Sequence, residues 1–357
     1  MKKQIKRILA GVLAVATLFL ATPISNISTN PLALKSAYAA SAETYTYEDL
    51  EYKIVDDEIF ITDCDESVTK VVIPSEIDGL PVTSIESDAF KKCDNLTSVT
   101  IPNTVKYIGH SAFFDCNSLT SITIPSSVTS VTYMSFAKCG SLTSITVDKN
   151  NQYFCDIDGV LFSKDKKTLV AYPAGKPLDK YIVPNSVIDI FDCAFYGCLN
   201  LTEVVLPNSI KYIEMCTFYD CINLTKITIP NSVTQIKNYS FTGCNNLTSV
   251  VIPSSVKTIE DEAFFSKYLK TIYGYTDSAA EAYANKKKIT FIPLDKGFKT
   301  GDLNGDGILN SADIVILKQA ISGNQKLFPN QAKAADINKD GKIDAFDLIS
   351  LKSMITK

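Results

Sequence analysis

The sequence predicts a mixed fold: a solenoid of short strands and helical turns in 23-residue coils, followed by a small α-helical module. The first observation is the pattern Leu-Thr-x-Ile/Val-x-Ile-Pro, which recurs at one constant spacing, from Leu96 to Leu119 and from Leu224 to Leu247. A fixed period in this range is the signature of stacked coils, because one coil cannot bury its apolar face alone. The second observation is a pair of similar acidic loops, 302–313 and 336–347, near the C-terminal end of the sequence.

Each coil of the solenoid, over residues 40–295, is predicted to hold two short apolar segments and a turn. Apolar residues at the fourth and sixth positions of the pattern alternate as in a strand. The proline ends that strand because it has no N–H for the ladder. A second apolar pair follows, such as Val105 and Ile108, and then a phenylalanine segment that we expect to form a short helical turn. Aligned stacking would join the phenylalanines into one aromatic ladder: Phe90, Phe113, Phe136, Phe195, Phe218, Phe241 and Phe264.

Three segments depart from the repeat. Alternating apolar residues in 52–61 predict a hairpin that closes the N-terminal end, as terminal repeats must. A 13-residue insertion within 149–183 predicts another hairpin, whose two apolar stretches flank the polar residues 163–167. Beyond Pro253 the pattern degrades into a strand, a helix and a further strand, which we interpret as the C-terminal cap. Residues 296–300 are predicted to be a short linker.

These repeats resemble the leucine-rich repeats of the BspA-like class, which occur in many bacterial surface proteins. The resemblance covers roughly residues 45–295. It implies an elongated, curved, non-enzymatic binding scaffold, but it does not name a ligand, because a fold does not fix a function.

Residues 1–39 have the pattern of a secretory signal peptide. Four basic residues precede an apolar run over 8–21, and Ala37 and Ala39 give a small-x-small cleavage site. The alternative is an uncleaved anchor, but the apolar run is shorter than the ~20 residues that a spanning helix needs. We therefore expect a secreted, extracellular protein with no membrane span in the mature chain.

The two acidic loops have the ligand spacing of an EF-hand calcium loop. Oxygen-bearing side chains occupy positions 1, 3, 5, 9 and 12, position 7 offers its main-chain carbonyl, and glycine at position 6 permits the sharp turn. Both loops depart from the EF-hand in having Asp rather than Glu at position 12, and a helix is predicted after each, with no convincing entering helix before either. Two Ca²⁺ ions are therefore predicted. The expected ligands are Asp302, Asn304, Asp306, Ile308, Asn310 and Asp313 in the first loop, and Asp336, Asn338, Asp340, Lys342, Asp344 and Asp347 in the second.

The duplicated loop-and-helix units over 301–357 resemble a type I dockerin. The resemblance implies calcium-dependent docking onto a cohesin module of a cellulosome scaffoldin. It also assigns cohesin contacts to loop positions 10 and 11 and to the following helix. Those residues are Ser311, Ala312, Lys318, Ala345, Phe346 and Lys352. The Ser-Thr pair that is common in the family is absent from both copies, so the cohesin type stays open, and the alternative is a purely structural calcium module.

Composition offers little for catalysis or for nucleic-acid binding. His110 is the only histidine, so the chain has few residues from which a catalytic triad or a histidine metal site could be built. Arg7, inside the leader, is the only arginine, and the formal net charge is −4, a poor basis for binding phosphates. We expect no catalytic residues, although the number of carboxylates alone does not exclude a glycosidase pair.

The ten cysteines follow the repeat rather than a disulfide framework. Six share one repeat position, where parallel side chains are poorly oriented for bridging, so we expect a buried column of reduced thiols. They are Cys93, Cys116, Cys139, Cys198, Cys221 and Cys244. Cys193 and Cys216, which are separated by one repeat period, are the better disulfide candidates.

The leading hypothesis is a secreted, non-catalytic cellulosome subunit whose solenoid binds a protein or a wall or cell-surface polymer. The exposed strand face is predicted to be a flat Ser/Thr surface, with few aromatic anchors for a ligand. The available anchors are Tyr107, Tyr133, Tyr212 and Tyr219. The alternatives are a dockerin-bearing polysaccharide-degrading enzyme, such as a glycoside hydrolase or an esterase, and a solenoid protease inhibitor.

Overall fold

The computed structural model describes residues 43–305, 307–324 and 326–356. These residues form two compact units: the first runs to residue 165 and includes 173–175, and the second comprises 166–172 and the chain from 176 onward. The predicted signal peptide lies outside the described residues. No helix among those that are described is long and apolar enough to cross a membrane.

The first unit begins with a meander and continues as stacked coils. Strands β1 and β2 are antiparallel, β2 and β3 are antiparallel, and β3 then pairs in parallel with β6 of the first coil. The meander strands are β1 Tyr45–Tyr47, β2 Leu50–Val55 and β3 Glu58–Cys64. Because β3 pairs with β6, this strand of the first coil does not present an open, aggregation-prone edge.

The coils of the first unit place their strands in two parallel columns. One column holds β4 Lys70–Val72, β7 Ser98–Thr100, β9 Ser121–Ile124 and β11 Ser144–Val147. The other holds β6 Leu80–Ile85, β8 Tyr107–Ile108 and β10 Ser130–Val131. The register of β9 on β11 pairs residues one repeat period apart, such as Ser121 with Ser144, as stacked coils require. The short strand β5 Glu76–Ile77 pairs antiparallel with β6.

The insertion holds a strand that the sequence analysis missed. Strand β12 Phe154–Ile157 pairs antiparallel with β13 Val160–Ser163 across a two-residue turn. Asp158 and Gly159 at that turn both have positive φ, 51° and 75°. Two consecutive residues with positive φ are typical of a tight hairpin turn. The Ile145 N–H on β11 donates to the Gly159 carbonyl at 2.8 Å, which ties this hairpin to the first unit.

The second unit repeats the two-column arrangement. The first column holds β15 Lys180–Ile182, β17 Glu203–Val205, β19 Lys226–Thr228, β21 Ser249–Val251, β23 Thr271–Gly274 and β24 Thr290–Pro293. The second holds β14 Thr168–Ala171, β16 Asp189–Ile190, β18 Tyr212–Ile213, β20 Gln235–Ile236 and β22 Thr258–Ile259. Helix α1 Ala279–Lys287 crosses from β23 to the parallel strand β24. The solenoid of 23-residue coils that the sequence predicts is confirmed.

The phenylalanine segments form tight hydrogen-bonded turns rather than turns of helix, which corrects that detail of the prediction. An α-helix requires each N–H to bond the carbonyl four residues back. Here the N–H groups of Phe113 and Asp115 instead donate to Ser135 and Ala137 of the next coil, at 2.8 and 3.1 Å. For six of the seven phenylalanines, all except Phe264, the residues two before and two after the ring take positive φ, which aims these groups. They are Asp88, Lys92, Ser111, Asp115, Met134 and Lys138 in the first unit, and Cys193, Gly197, Cys216, Asp220, Tyr239 and Gly243 in the second.

The phenylalanine ladder is confirmed within each unit. In the first unit Phe113 stacks on Phe90 and Phe136, with ring centroids 4.9 and 5.8 Å apart. In the second unit the centroid distances between successive phenylalanine rings are 5.1, 5.3 and 4.8 Å. Its members are Phe195, Phe218, Phe241 and Phe264, with Tyr172 stacked before them and Tyr283 edge-on after them. Rings at this spacing gain from stacking as well as from burial.

The C-terminal module consists of three helices around a small apolar core. They are α2 Ser311–Ile321, α3 Pro329–Ala335 and α4 Ala345–Ile355. Its buried core contains Leu303, Leu317, Ala334, Ala335 and Leu351. Helix α3 enters the second loop, which corrects the expectation that neither loop has an entering helix. Its start has clear local causes: Pro329 occupies the first turn, and the Gln331 side chain accepts the Phe328 N–H at 3.0 Å.

Candidate functional site

The first acidic loop is held together by carboxylates that accept main-chain N–H groups. Asp302 accepts from Gly305 at 2.8 Å through Oδ1 and from Gly307 at 3.0 Å through Oδ2. Asp313 accepts from Leu303 at 2.8 Å and from Asn304 at 3.1 Å, both through Oδ1. Asp306, the expected ligand at position 5, lies outside the described residues. The loop therefore places positions 1 and 12 of the predicted ligand set at its centre.

The second loop repeats this bonding with its own residues. Asp336 accepts from Asp340 and Gly341, each at 3.0 Å, and Asp347 accepts from Ile337 at 2.8 Å. Asn338 at position 3 donates its amide to Asp340 Oδ2 at 3.0 Å. Both loops thus take one shape, which agrees with their common spacing in the sequence.

Position 9 of each loop is also the N-cap of the following helix. Asn310 Oδ1 accepts the Ala312 N–H at 2.7 Å, and Asp344 Oδ1 accepts the Phe346 N–H at 2.8 Å. The aspartate at position 12 accepts the N–H of the cap residue, so each loop ends in a capping box. Helices α2 and α4 consequently begin at Ser311 and Ala345, inside the loops, rather than after them. The acidic loops therefore set the position of both helices.

The donor set fits calcium. Asp302, Asp313 and Asp347 are buried, and no described lysine or histidine forms an ion pair with them. A buried charge needs a partner, and carboxylate and carbonyl oxygens are the ligands of a hard cation. Within the described part of the chain no group of three acidic, histidine or cysteine side chains is already gathered as a metal site. A bound Ca²⁺ would supply the positive charge that these carboxylates lack.

All six predicted cohesin-contact residues lie exposed on α2 and α4 or at their N-terminal ends. The structure adds two exposed apolar residues that the sequence analysis missed, Val315 on α2 and Ile349 on α4, with 51% and 63% of their surface accessible. Each lies one helical turn beyond loop position 11. The signal was present in the sequence as Ala-x-x-Val in one copy and Phe-x-x-Ile in the other.

The surface of the repeat domain combines the predicted Ser/Thr face with a few large side chains. Ser121 and Thr123 are exposed on β9, and Thr123 shares a hydrogen bond of 2.9 Å with Thr146. Among the tyrosines proposed as anchors, Tyr133 and Tyr212 are exposed. Tyr219 is half-buried and stacks on Tyr196, with 4.7 Å between ring centroids. The prediction for Tyr107 was wrong, because its strand turns it inward and only 7% of its surface is accessible.

His110 lies against a neighbouring coil. Its Nδ1 lies 3.1 Å from the carbonyl oxygen of Tyr133, and its ring centroid is 4.4 Å from that of Tyr133. Its Nε2 lies 3.2 Å from Ser111 Oγ. These contacts give the histidine a packing role on the coil surface.

Two half-buried carboxylates of the second unit have perturbed protonation. Burial raises the pKa of Glu214, although its hydrogen bond to the Lys237 ammonium acts in the opposite direction. Burial also raises the pKa of Asp192, again opposed by Lys237 and by a 3.0 Å hydrogen bond from the Met215 N–H. Both carboxylates are therefore engaged with neighbouring coils.

All ten cysteines are free thiols in the structure. The predicted column is buried, and its thiols bond the preceding coil; for example, Cys116 Sγ donates to the Phe90 carbonyl at 2.8 Å and Cys221 Sγ to the Phe195 carbonyl at 3.0 Å. Cys193 and Cys216 are also free thiols, so the candidate disulfide is not formed. A hydrogen bond between these two thiols raises the pKa of Cys193 and lowers the pKa of Cys216.

Two protein-family models match this chain, one over the repeat domain and one over the C-terminal module. The family model described as "BspA type Leucine rich repeat region" matches residues 53–166 and 171–290 in six copies. The model described as "Dockerin type I domain" matches residues 300–356. No curated protein matches the chain.

Several solved bacterial structures are similar to this chain. The pneumococcal vaccine antigen PcpA is 18% identical over 65% of this chain and 82% of its own, with a TM-score of 0.44. A leucine rich cell surface protein from Faecalibacterium prausnitzii is 20% identical over 75% of this chain and 98% of its own, with a TM-score of 0.48. The T. pallidum leucine rich repeat protein TpLRR is 28% identical over 57% of this chain and 91% of its own, with a TM-score of 0.39.

One family model matches the repeated coils, and the other matches the segment with the duplicated acidic loops and their helices. The chain belongs to the BspA-type leucine-rich repeat proteins and carries a type I dockerin domain at its C-terminal end.

Proposed function

We propose that this protein is a secreted, non-catalytic cellulosome subunit. Its dockerin domain binds a cohesin module of a scaffoldin when two Ca²⁺ ions occupy the acidic loops. Its repeat domain binds a protein or a wall or cell-surface polymer. The observation that carries the proposal is the exposed apolar pair Phe346, at the end of the second acidic loop, and Ile349, on the helix that continues from it.

The apolar pair has the character of a protein-binding surface. Phe346 and Ile349 have 66% and 63% of their surfaces accessible and lie one turn apart on α4. A large aromatic beside an aliphatic residue is a typical anchor of a protein interface. The exposed Lys352 lies one turn further and adds a polar rim.

Calcium dependence follows from the way the loop starts the helix. Asp344 caps α4, and Asp347 accepts the Asp344 N–H at 3.0 Å. Without the cation, the carboxylates of the loop repel one another and the helix start loses its support. Calcium binding therefore orders the surface that the cohesin recognises.

Capture of the full chain on immobilised cohesins, in calcium and in EDTA, tests this mechanism. We expect capture in calcium and none in EDTA. Ile349→Ala and Val315→Ala, made separately and together, should show which copy carries binding. Val72→Ala, at an exposed site of the repeat domain, is the matched control. Capture that survives EDTA, or that is unchanged in the double variant, would contradict the mechanism.

The ligand surface of the repeat domain is proposed to include the large exposed side chains of two consecutive coils. Tyr212, Met215 and Tyr239 are exposed there, and Lys237 lies 5.8 Å from the ring centroid of Tyr212. Pull-down of wall polysaccharides and secreted proteins with the full chain and with Tyr212→Ala/Tyr239→Ala identifies the ligand class. Equal capture by both proteins would place the ligand on another face.

The proposal of a non-catalytic protein is supported by the partners of the perturbed carboxylates. Asp192 accepts a main-chain N–H, and Glu214 bonds Lys237. Assay of the full chain against plant polysaccharides should show no turnover. Turnover that Asp192→Asn or Glu214→Gln abolishes would instead establish the enzyme alternative.

A further inference from the structure

The residues that directly follow the last strand of the repeat domain, β24, are held by hydrogen bonds to that domain. Strand β24 is at the end of the sheet β21–β23–β24. Leu294 directly after it donates its N–H to the Gly274 carbonyl at 2.6 Å, and the Asp295 carboxylate accepts the Thr276 N–H at 3.1 and 3.2 Å. The chain that leaves the repeat domain is therefore part of its cap.

The dockerin domain makes two direct contacts with this cap. The ring of Phe328 lies 5.6 Å from the ring of Tyr273 on β23, between centroids. The amide of Asn330 donates to the Leu294 carbonyl at 2.6 Å. Phe328 and Asn330 flank Pro329, the first residue of α3, so the helix that enters the second calcium loop is seated on the cap.

The first calcium loop makes the third contact with the cap. The glycine at position 4 of this loop is the residue that shows it. Position 4 has positive φ in both loops, 74° at Gly305 and 62° at Lys339. A lysine is therefore compatible with this backbone in the second loop, where the side chain is exposed. In the first loop a Cβ would lie 2.7 Å from Cγ2 of the buried Ile292 and 3.0 Å from the Phe298 ring. Glycine is needed there because the cap lies against the loop.

The segment between the two domains belongs to the dockerin rather than forming a free tether. Phe298 packs against the dockerin core, and Gly301 donates its N–H to the Ala334 carbonyl at 2.9 Å. A Cβ at Gly301 would lie 2.9 Å from Leu351 Cδ1. The connection is therefore short and engaged at both ends.

From these contacts we propose that the dockerin domain docks on the last coil of its own repeat domain, so that calcium in the first loop and the C-terminal cap stabilise each other. The surface of the cap is covered by this chain's own dockerin domain, through Gly305, Phe328 and Asn330. Coupling between two sites is reciprocal. Calcium binding to the first loop lowers the equilibrium constant for opening of β24. Loss of the cap contact lowers the calcium affinity of the first loop by the same factor.

Amide resonances of the full chain give a readout for each partner. The Gly307 N–H donates to Asp302 at 3.0 Å and reports the first loop, and the Gly341 N–H donates to Asp336 at 3.0 Å and reports the second. Hydrogen exchange at Leu294 reports the cap. Removing calcium from the wild-type chain with EGTA should accelerate exchange at Leu294 on the order of tenfold.

Gly305→Lys gives the first loop the position-4 residue of the second loop and displaces the cap. We expect exchange at Leu294 to become independent of calcium in this variant, while the Gly341 resonance still titrates. Lys339→Gly is the matched control and should keep the calcium dependence of Leu294. Exchange in Gly305→Lys that stays as calcium-dependent as in wild type would overturn the proposal.

A second variant approaches the contact from the repeat side. Tyr273→Ala should weaken the calcium affinity reported by Gly307 on the order of tenfold and leave that reported by Gly341 less affected. Tyr273→Phe keeps the ring against Phe328 and should behave as wild type. Equal calcium affinity at Gly307 in Tyr273→Ala and wild type would show that the domains are not coupled, even if Gly305→Lys fails to fold.

Discussion

Replacing Phe218 by alanine should destabilise the second unit by about 4–5 kcal/mol, at the upper end of the range for buried aromatics. Phe218 has no accessible surface and stacks on Phe195 and Phe241, with centroids 5.1 and 5.3 Å apart. Phe→Ala substitutions in cores cost about 3–5 kcal/mol, and each aromatic pair adds about 0.5–1.5 kcal/mol beyond burial. Phe218 loses two such pairs, which places it at the upper end of that range. Since domain stabilities are about 5–15 kcal/mol, the loss is a large fraction of the total.

The assay is urea unfolding followed by far-UV circular dichroism, combined with hydrogen exchange resolved by peptide. Each coil contacts only its neighbours, so exchange should accelerate most around Phe195 and Phe241 and little in the first unit. Phe265→Ala, at a side chain with 66% of its surface accessible, is the control. It should change stability by less than about 0.5 kcal/mol. A loss in Phe218→Ala no greater than in this control would refute the ladder as a source of stability.

Three further predictions concern charge and thiols. Because burial raises the folded-state pKa of Asp192, stability should fall as pH rises from the unfolded pKa of this carboxyl group through its folded pKa. Asp192→Asn keeps the acceptor for the Met215 N–H and should make that fall smaller in thermal melts, with Glu214 contributing the remainder. Cys216, half-buried and with a lowered pKa, should be alkylated by iodoacetamide well before the buried Cys244, as peptide mass spectrometry would show. Asp336→Ala should lower calcium affinity more than Asp302→Ala in calorimetric titrations, because the second loop has more carboxylates.

The constant repeat period was sufficient to predict the stacked coils and the buried columns. A residue that recurs at the period meets its own copies above and below, so the chemistry of a column can be read from the sequence. Phe113 between Phe90 and Phe136 is one outcome, and Cys116 buried against the coil before it is another. The spacing of the acidic residues identified the loops for a similar reason, because a hard cation needs oxygens at fixed offsets along a turn.

The left-handed turns beside the phenylalanines from Phe90 to Phe241 could not be predicted, because the residues there are mostly not glycine. Lys92 and Met134 take positive φ values of 61°, a conformation that costs a side-chain-bearing residue free energy. Hydrogen bonds to the adjacent coil offset this cost, and those partners exist only after the coils have stacked. The inward orientation of Tyr107 has the same kind of origin, since it depends on how the second strand of the coil lies on its neighbours. Helix α3, in contrast, was marked by Pro329 and Gln331 and could have been found.

The two calcium loops show how a duplicated unit acquires different properties from its surroundings. Their internal hydrogen bonds are nearly the same, yet Asp302 at position 1 of the first loop is buried, while its counterpart Asp336 in the second loop is half-buried. Calcium affinity rises with the number of charged ligands and also with the rigidity of the site. The second loop has the larger number of carboxylates, and the first loop has the support of Ile292 and Phe298 around Gly305. Preorganisation of the first loop by the cap therefore reduces the difference in calcium affinity between the two loops that ligand charge alone would create. Gly305→Lys should increase this difference in calcium affinity, because the substitution removes the contact with Ile292 and Phe298 and leaves every calcium ligand in place.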